Sequence, residues 1–168
     1  MHERSVYGPS GGKWDLTVAG LCRWVGSEDV LDYGCGVGAL GRNLAEVGIS
    51  IREYDPAVRG RDEPPGPADV VACTDVLEHV EPDRLRDVVQ HIRSLTRVAL
   101  LAAISTRLAG KTLPDGRNAH LIVRDGDWWR RVLVDGGFKI RREWGYVGEW
   151  SAWCVPATSS RLETGRAA

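Results

Sequence analysis

Three glycines at alternate positions follow an acid in Val30-Leu31-Asp32-Tyr33-Gly34-Cys35-Gly36-Val37-Gly38. Glycine has no Cβ, so a turn of this kind lets a ligand lie against bare backbone. Asp32, two residues before the first glycine, restricts the choice of ligand: its carboxylate would repel a pyrophosphate and attract an ammonium. Gly36-x-Gly38-x-x-Gly41 also fits the dinucleotide fingerprint, a match that is weak by itself. A second acid, Asp55, stands 23 residues after Asp32 and is followed by Pro56. One strand–helix–strand step of about that length returns the chain to the same sheet edge, where an acid can accept both hydroxyls of a ribose.

Further along, Asp75-x-x-Glu78-His79 and a later His120 bring two acids and two imidazoles into play. Oxygen and imidazole donors suit Mg²⁺, Mn²⁺ or Zn²⁺. The same histidines also suit proton abstraction from a hydroxyl near neutral pH. Glu78, His79 and His120 are therefore candidate metal ligands, with the shorter Asp75 as a fourth, and His79 and His120 are candidate catalytic bases. The metal-free reading is preferred. Lys111, Arg117 and Asn118, in the same loop as His120, could bind an anionic acceptor.

These residues need elements to hold them. Trp14–Val25 is apolar at helical spacing and stops at Gly26-Ser27. A strand at Val30–Asp32 leads through the glycine turn into a helix over Ala39–Val47. Ile49–Tyr54 and Asp69–Cys73 read as strands, and Arg97–Ile104 as the most apolar, central one. Pro82 suits the opening of a helix whose buried face is Leu85, Val88, Val89, Ile92 and Leu95. Ser105–Arg124 is a long loop around Pro114-Asp115-Gly116. Asp125 or Asp127 caps a helix to Val134 that Gly136-Gly137 ends, and Phe138–Glu143 and Ser151–Val155 form an antiparallel hairpin at the sheet edge. The expected fold is a doubly wound, mostly parallel, Rossmann-like α/β sheet with that C-terminal hairpin. It forms one domain over 1–156, with residues 1–13 a mobile arm and 157–168 a flexible tail.

Residues 30–38, Asp55, and Ala68–Val80 together resemble the first, second and fourth motifs of class I methyltransferases that use S-adenosylmethionine. This donor carries an ammonium, a sulfonium and no phosphate. The resemblance implies that Asp32 holds the methionine ammonium and that the backbone of Tyr33, Gly34, Cys35, Gly36 and Gly38 lines the donor. It further implies that Asp55, followed by Pro56, holds the ribose, and that Thr74, Asp75 and Val76 flank the sulfonium. Leu77-Glu78-His79-Val80 is similar to ubiquinone-biosynthesis O-methyltransferases, and acid-x-x-Glu-His with a later histidine resembles the metal site of small-RNA 2′-O-methyltransferases. One departure stands out: only 13 residues, rich in proline, separate Asp55 from Asp69. The family places a helix, a third strand and an adenine-contacting acid there, so the sheet should be shortened around its third strand.

Length and composition narrow the classes. With 168 residues, one α/β core fits without an inserted domain. Lys and Arg number 22 against 23 acids, so the basic excess of a dedicated nucleic-acid binder is missing. The four cysteines form no Cys-x-x-Cys pair, and no apolar run reaches membrane-spanning length, which points to a cytoplasmic protein with reduced thiols. The expected activity is methyl transfer to a small-molecule acceptor, most readily at oxygen, and a second copy could complete the acceptor site. The alternatives are a metal-dependent RNA 2′-O-methyltransferase, an NAD(P)-dependent oxidoreductase, and a non-catalytic donor-binding subunit.

Overall fold

The computed structural model describes residues 10–158. The arm expected over residues 1–13 lies outside the described residues up to position 9. From there Ser10–Trp14 is a 3-10 turn that runs into helix α1 (Asp15–Val25). Val18, Leu21 and Cys22 are buried at helical spacing, and Gly26 closes the helix in the left-handed region with its N–H on the Cys22 carbonyl at 2.8 Å.

Strand β1 (Val30–Tyr33) leads to α2 (Ala39–Glu46), then β2 (Ile51–Tyr54) and β3 (Ala68–Thr74). Helix α3 (Leu85–Leu95), β4 (Thr96–Ser105), α4 (Gly126–Asp135), β5 (Phe138–Tyr146) and β6 (Glu149–Pro156) complete the chain. The six strands lie in the order β2-β1-β3-β4-β6-β5, parallel from β2 to β4 and antiparallel across β4–β6 and β6–β5. This is the expected doubly wound sheet with an antiparallel hairpin, and β5 occupies the edge while β6 is inside.

Alternate residues of the central strands feed the two faces. Val70, Ala72, Leu101 and Ala103 pack with α1 and α2; Val71, Cys73, Leu100 and Ala102 pack with α3 and α4. A strand apolar on both sides is what a buried parallel sheet demands, which is why these runs show no polar alternation. Trp14 is only 5% exposed and joins the first of these layers, so it serves as core and does not cover a ligand.

Some boundaries move. Helix α3 begins at Leu85, because Pro82–Arg84 form a separate turn with the Arg84 N–H on the Glu81 carbonyl at 2.8 Å. Asp125 caps α4, accepting from the Trp128 N–H at 2.8 Å. Between β2 and β3 the described chain has neither helix nor strand. The Arg52 guanidinium donates to the Gly66 carbonyl at 2.9 Å and the Pro67 carbonyl at 3.0 Å, and pairs with Asp29 at 2.8 Å. One edge arginine thus holds the proline-rich crossing against the rim of the sheet, and β2 is left as a short outer strand.

Candidate active site

The carboxyl ends of β1, β3 and β4 open into a cleft of about 810 Å³. Asp32, Gly34, Cys35 and Gly36 line one side of it; Thr74 and Asp75 lie between, and His79 and His120 line the other side. Strand β6 starts where β4 ends, Glu149 pairing with Ser105, so the hairpin tip also reaches the cleft.

On the glycine side the backbone is tightly fixed. Gly34 has φ 78°, and a Cβ there would collide with the isopropyl group of Val76. Gly38 caps α2 at φ 74°, with the Glu53 carboxylate and the Arg61 guanidinium where a side chain would go. Asp55 is buried, and it accepts from the Gly36 N–H and the Ala57 N–H at 2.9 Å each. Arg61 pairs with Glu53 at 3.1 Å and donates to the Gly36 carbonyl. The Gly36 N–H is therefore already bound to a carboxylate.

Asp32 is 4% exposed at the cleft wall. Burial, then the nearby carboxylates of Glu53 and Asp55, push its carboxyl up to about 7, with Arg61 opposing. Among the described residues no cation forms an ion pair with it, and a buried acid of this kind favours a positively charged ligand group. Cys35 and Cys73 are buried with raised thiol pKa values caused mainly by burial, in keeping with inert packing roles.

Tyr33 and Val76 do not line the cleft. The Tyr33 ring turns into the α3 layer, where its hydroxyl meets His91 Nδ1 at 3.0 Å, so only its backbone is near the turn. Val76 supports Gly34 from behind. Asp55 is one layer back, bracing the glycine turn, and Pro56 lies exposed at the surface. Asp75 has φ 55°, unusual for a residue with a side chain, and is fixed by its N–H on the Ala103 carbonyl at 2.8 Å.

Across the cleft, Glu78 is fully buried. Its Oε1 accepts from the Ser105 N–H at 2.8 Å, while Oε2 has no hydrogen-bond partner. Burial pushes this carboxyl up to about 8. The nitrogen His79 Nδ1 lies 2.8 Å from the Ala119 carbonyl, and His120 Nδ1 lies 2.6 Å from the Arg107 carbonyl. A carbonyl only accepts, so in the neutral form of each ring Nδ1 carries the proton and Nε2 keeps a lone pair. The rings stand nearly perpendicular with centroids 4.8 Å apart. Desolvation, and then His120, hold His79 below the ordinary imidazole range, against the raising effects of the Ala119 hydrogen bond and Asp75.

The loop bearing His120 is held by side chains expected to bind an anion. Asn118 accepts from the N–H groups of Ala109 at 3.0 Å and His120 at 2.9 Å, and donates to the Ala109 carbonyl at 2.9 Å. Arg117 grips Glu81 with two bonds of 2.9 and 2.8 Å and Asp115 at 2.7 Å. Neither is available for a ligand without giving up these partners, which corrects the anion-binding expectation for both; Lys111 does line the cleft.

Sequence reasoning missed Lys13 and Glu149. The Lys13 ammonium meets Glu149 at 2.6 Å and Asp75 at 3.4 Å across the cleft mouth. Burial opposes its charge, yet the Glu149 hydrogen bond and the two carboxylates hold its pKa above the usual value. A lone lysine after two glycines carries no pattern, and Glu149 becomes visible only when β6 is threaded beside β4.

Residues 20–153 match the family described as a methyltransferase domain. The chain belongs to that family. It is a class I methyltransferase whose donor is S-adenosylmethionine, and with that membership the hydride-transfer alternative falls away. No curated protein matches the chain. Among solved structures, it is similar to the magnesium protoporphyrin IX methyltransferase from Synechocystis PCC 6803 with bound S-adenosylhomocysteine (21% identity, 92% of this chain and 90% of that one, TM-score 0.61). A DhpI complex with S-adenosylhomocysteine gives 21% identity, coverage of 88% and 87%, and a TM-score of 0.62. The mitomycin 7-O-methyltransferase MmcR gives 15% identity and a TM-score of 0.65, with 89% of this chain spanning 53% of that one. At these identities the likeness is one of fold. No helix among the described residues is long and apolar enough to cross a membrane.

Proposed function

We propose that this methyltransferase transfers the donor's methyl group to an oxygen of a small-molecule acceptor held against His79 and His120. The observation that carries the reading is the division of a single cleft. A glycine turn with a buried acid forms one wall, and two imidazoles with free Nε2 lone pairs form the other. In this arrangement Asp32 holds the methionine ammonium, Gly34 to Gly36 carry the amino-acid part along the backbone, and Thr74 and Asp75 lie beside the sulfonium. Asp55, bonded to the Gly36 and Ala57 N–H groups, stiffens the turn from behind.

The chemistry asks little of the protein beyond placement. The sulfonium is already a good leaving group. The bond from sulfur to methyl breaks as the bond from oxygen to methyl forms, and the donor leaves as a neutral thioether. The acceptor's hydroxyl proton passes to an imidazole Nε2. A lowered pKa keeps His79 neutral and able to accept it near pH 7. Holding oxygen and methyl in line inside a dry cleft supplies most of the acceleration.

Exposed Leu108, Tyr146 and Val147 rim the mouth, with Arg107 beside them. They suit an acceptor with an apolar body that carries a hydroxyl. The O-methyltransferase and porphyrin methyltransferase among the similar structures support such a molecule. The test is a panel of phenols, enols and carboxylic acids incubated with methyl-labelled donor, with the methylated atom located by NMR. Oxygen methylation that drops at least about tenfold in His79→Gln supports the reading. Methylation at nitrogen or carbon, at a rate unaffected by that change, contradicts it.

A further inference from the structure

We infer that Glu78, His79 and His120 form a divalent-cation site on the acceptor wall, taking a metal that prefers imidazole with one carboxylate, such as Mn²⁺, Fe²⁺ or Zn²⁺. The inference rests on reading this wall as the acceptor side and adds to it the group that would hold the acceptor's oxygen.

Three independent features converge. The first is distance: one ligand atom from each of the three side chains lies within 4.8 Å of the others. Two atoms each ~2.1 Å from one ion stand at most ~4.2 Å apart, so a small rotation of two exposed or half-buried imidazoles closes the site. The second is orientation. Both Nδ1 atoms are committed to backbone carbonyls, of Ala119 at 2.8 Å and Arg107 at 2.6 Å. A carbonyl on the far nitrogen fixes the ring and presents Nε2, the usual outer-shell arrangement behind a metal-bound histidine.

The third feature is the orphan. Glu78 is fully buried, the Ser105 N–H holds its Oε1, and Oε2 has no partner among the described residues. An unpaired buried carboxylate oxygen is costly unless a proton or a cation meets it. With an ion held there, both Nε2 atoms would be ligands, and the ion's charge would take over from the imidazole the task of making the acceptor hydroxyl give up its proton. Two imidazoles and one carboxylate on one face also leave coordination positions open for a substrate oxygen.

Asp75 stays outside this set. Its carboxylate turns toward Lys13 at 3.4 Å, so the structure assembles three ligands where the sequence offered four. The Lys13 ammonium stands between Asp75 and Glu149 and pairs with both.

Metal-free protein, prepared with a chelator and dialysed, is titrated with CoCl₂ and MnCl₂. Cobalt binding is read by its visible d–d absorption and manganese binding by calorimetry. Expected is one equivalent of each ion, with affinity lowered at least about tenfold by Glu78→Gln and by His120→Gln. Glu78→Gln keeps the oxygen that Ser105 holds, and His120→Gln changes a half-buried residue, so circular dichroism should show both variants folded. No binding at millimolar ion, or binding that survives both substitutions, overturns the site. Titrating the metal-free protein with S-adenosylhomocysteine separates the two ideas: donor binding intact with no metal binding rejects this inference alone, whereas loss of both in folded protein rejects the cleft reading as well.

Discussion

The two walls of the cleft are made in different ways. The donor wall is backbone: β1, a glycine turn and the start of α2, with side chains excluded at Gly34 and Gly38 and Asp55 bonded to the turn itself. The acceptor wall is side chains: Glu78 and His79 on the short turn after β3, and a long segment, residues 106–125, that contains no strand or helix and is fixed by Asn118, by Arg117 and by two histidines on carbonyls. A wall of backbone offers the same surface to a common donor whatever surrounds it. A wall of side chains can be rewritten residue by residue for a new acceptor.

Breaking the donor wall should have the largest effect. Asp32→Asn removes the charge that faces the ammonium and should weaken S-adenosylhomocysteine about 100-fold, ~3 kcal/mol, in a calorimetric titration. Next is Gly34→Ala, which forces a side chain into positive φ and against Val76. It should cost about 2 kcal/mol and lower the melting temperature by roughly 4–8 °C. A donor wall that tolerated both changes would not be the rigid surface described.

Smaller effects should sharpen the contrast. Asn118→Ala removes three hydrogen bonds from the acceptor loop. It should lower kcat/KM for the acceptor several-fold while leaving S-adenosylhomocysteine affinity within about twofold. A parallel loss of donor affinity would mean that the walls are one unit. Smallest of all is Arg117→Ala, which breaks exposed ion pairs that salt already screens. Its melting temperature should differ little from that of the unaltered protein, and still less at high salt.

The legibility of the sequence follows the same division. Buried strands, glycine turns and the Asp125 cap depend on local pattern, so β1, β3, β4 and the start of α4 stand close to where periodicity puts them. The shortened crossing was also readable, because thirteen proline-rich residues leave no room for a helix and a strand. Side-chain direction was not. Tyr33 points into the α3 layer and Asp55 braces the turn, and only the packed sheet decides such choices. Arg117 and Asn118 looked like ligand groups because their partners, Glu81 and the Ala109 backbone, lie across a loop whose path no period encodes. Lys13 meets Glu149 over 136 positions of sequence, a contact that needs the whole topology.

Protonation links the buried acid to the donor. Asp32 has a folded-state pKa of about 7 against about 4 in an unfolded chain. The folded state therefore holds this proton more tightly. The group's contribution to stability is full below about pH 4 and is lost as the pH rises through about 7 in donor-free protein. A cationic ligand reverses the preference, because it binds the ionised form.

The decisive measurement is a set of calorimetric titrations with S-adenosylhomocysteine between about pH 6 and pH 8, on the unaltered protein and on Asp32→Asn. If the buried carboxylate holds the ligand's ammonium, affinity climbs with pH until the acid is ionised, near pH 7, and then levels off; the variant stays weak and shows no such rise. Equal affinity in the two proteins across that range would contradict the account.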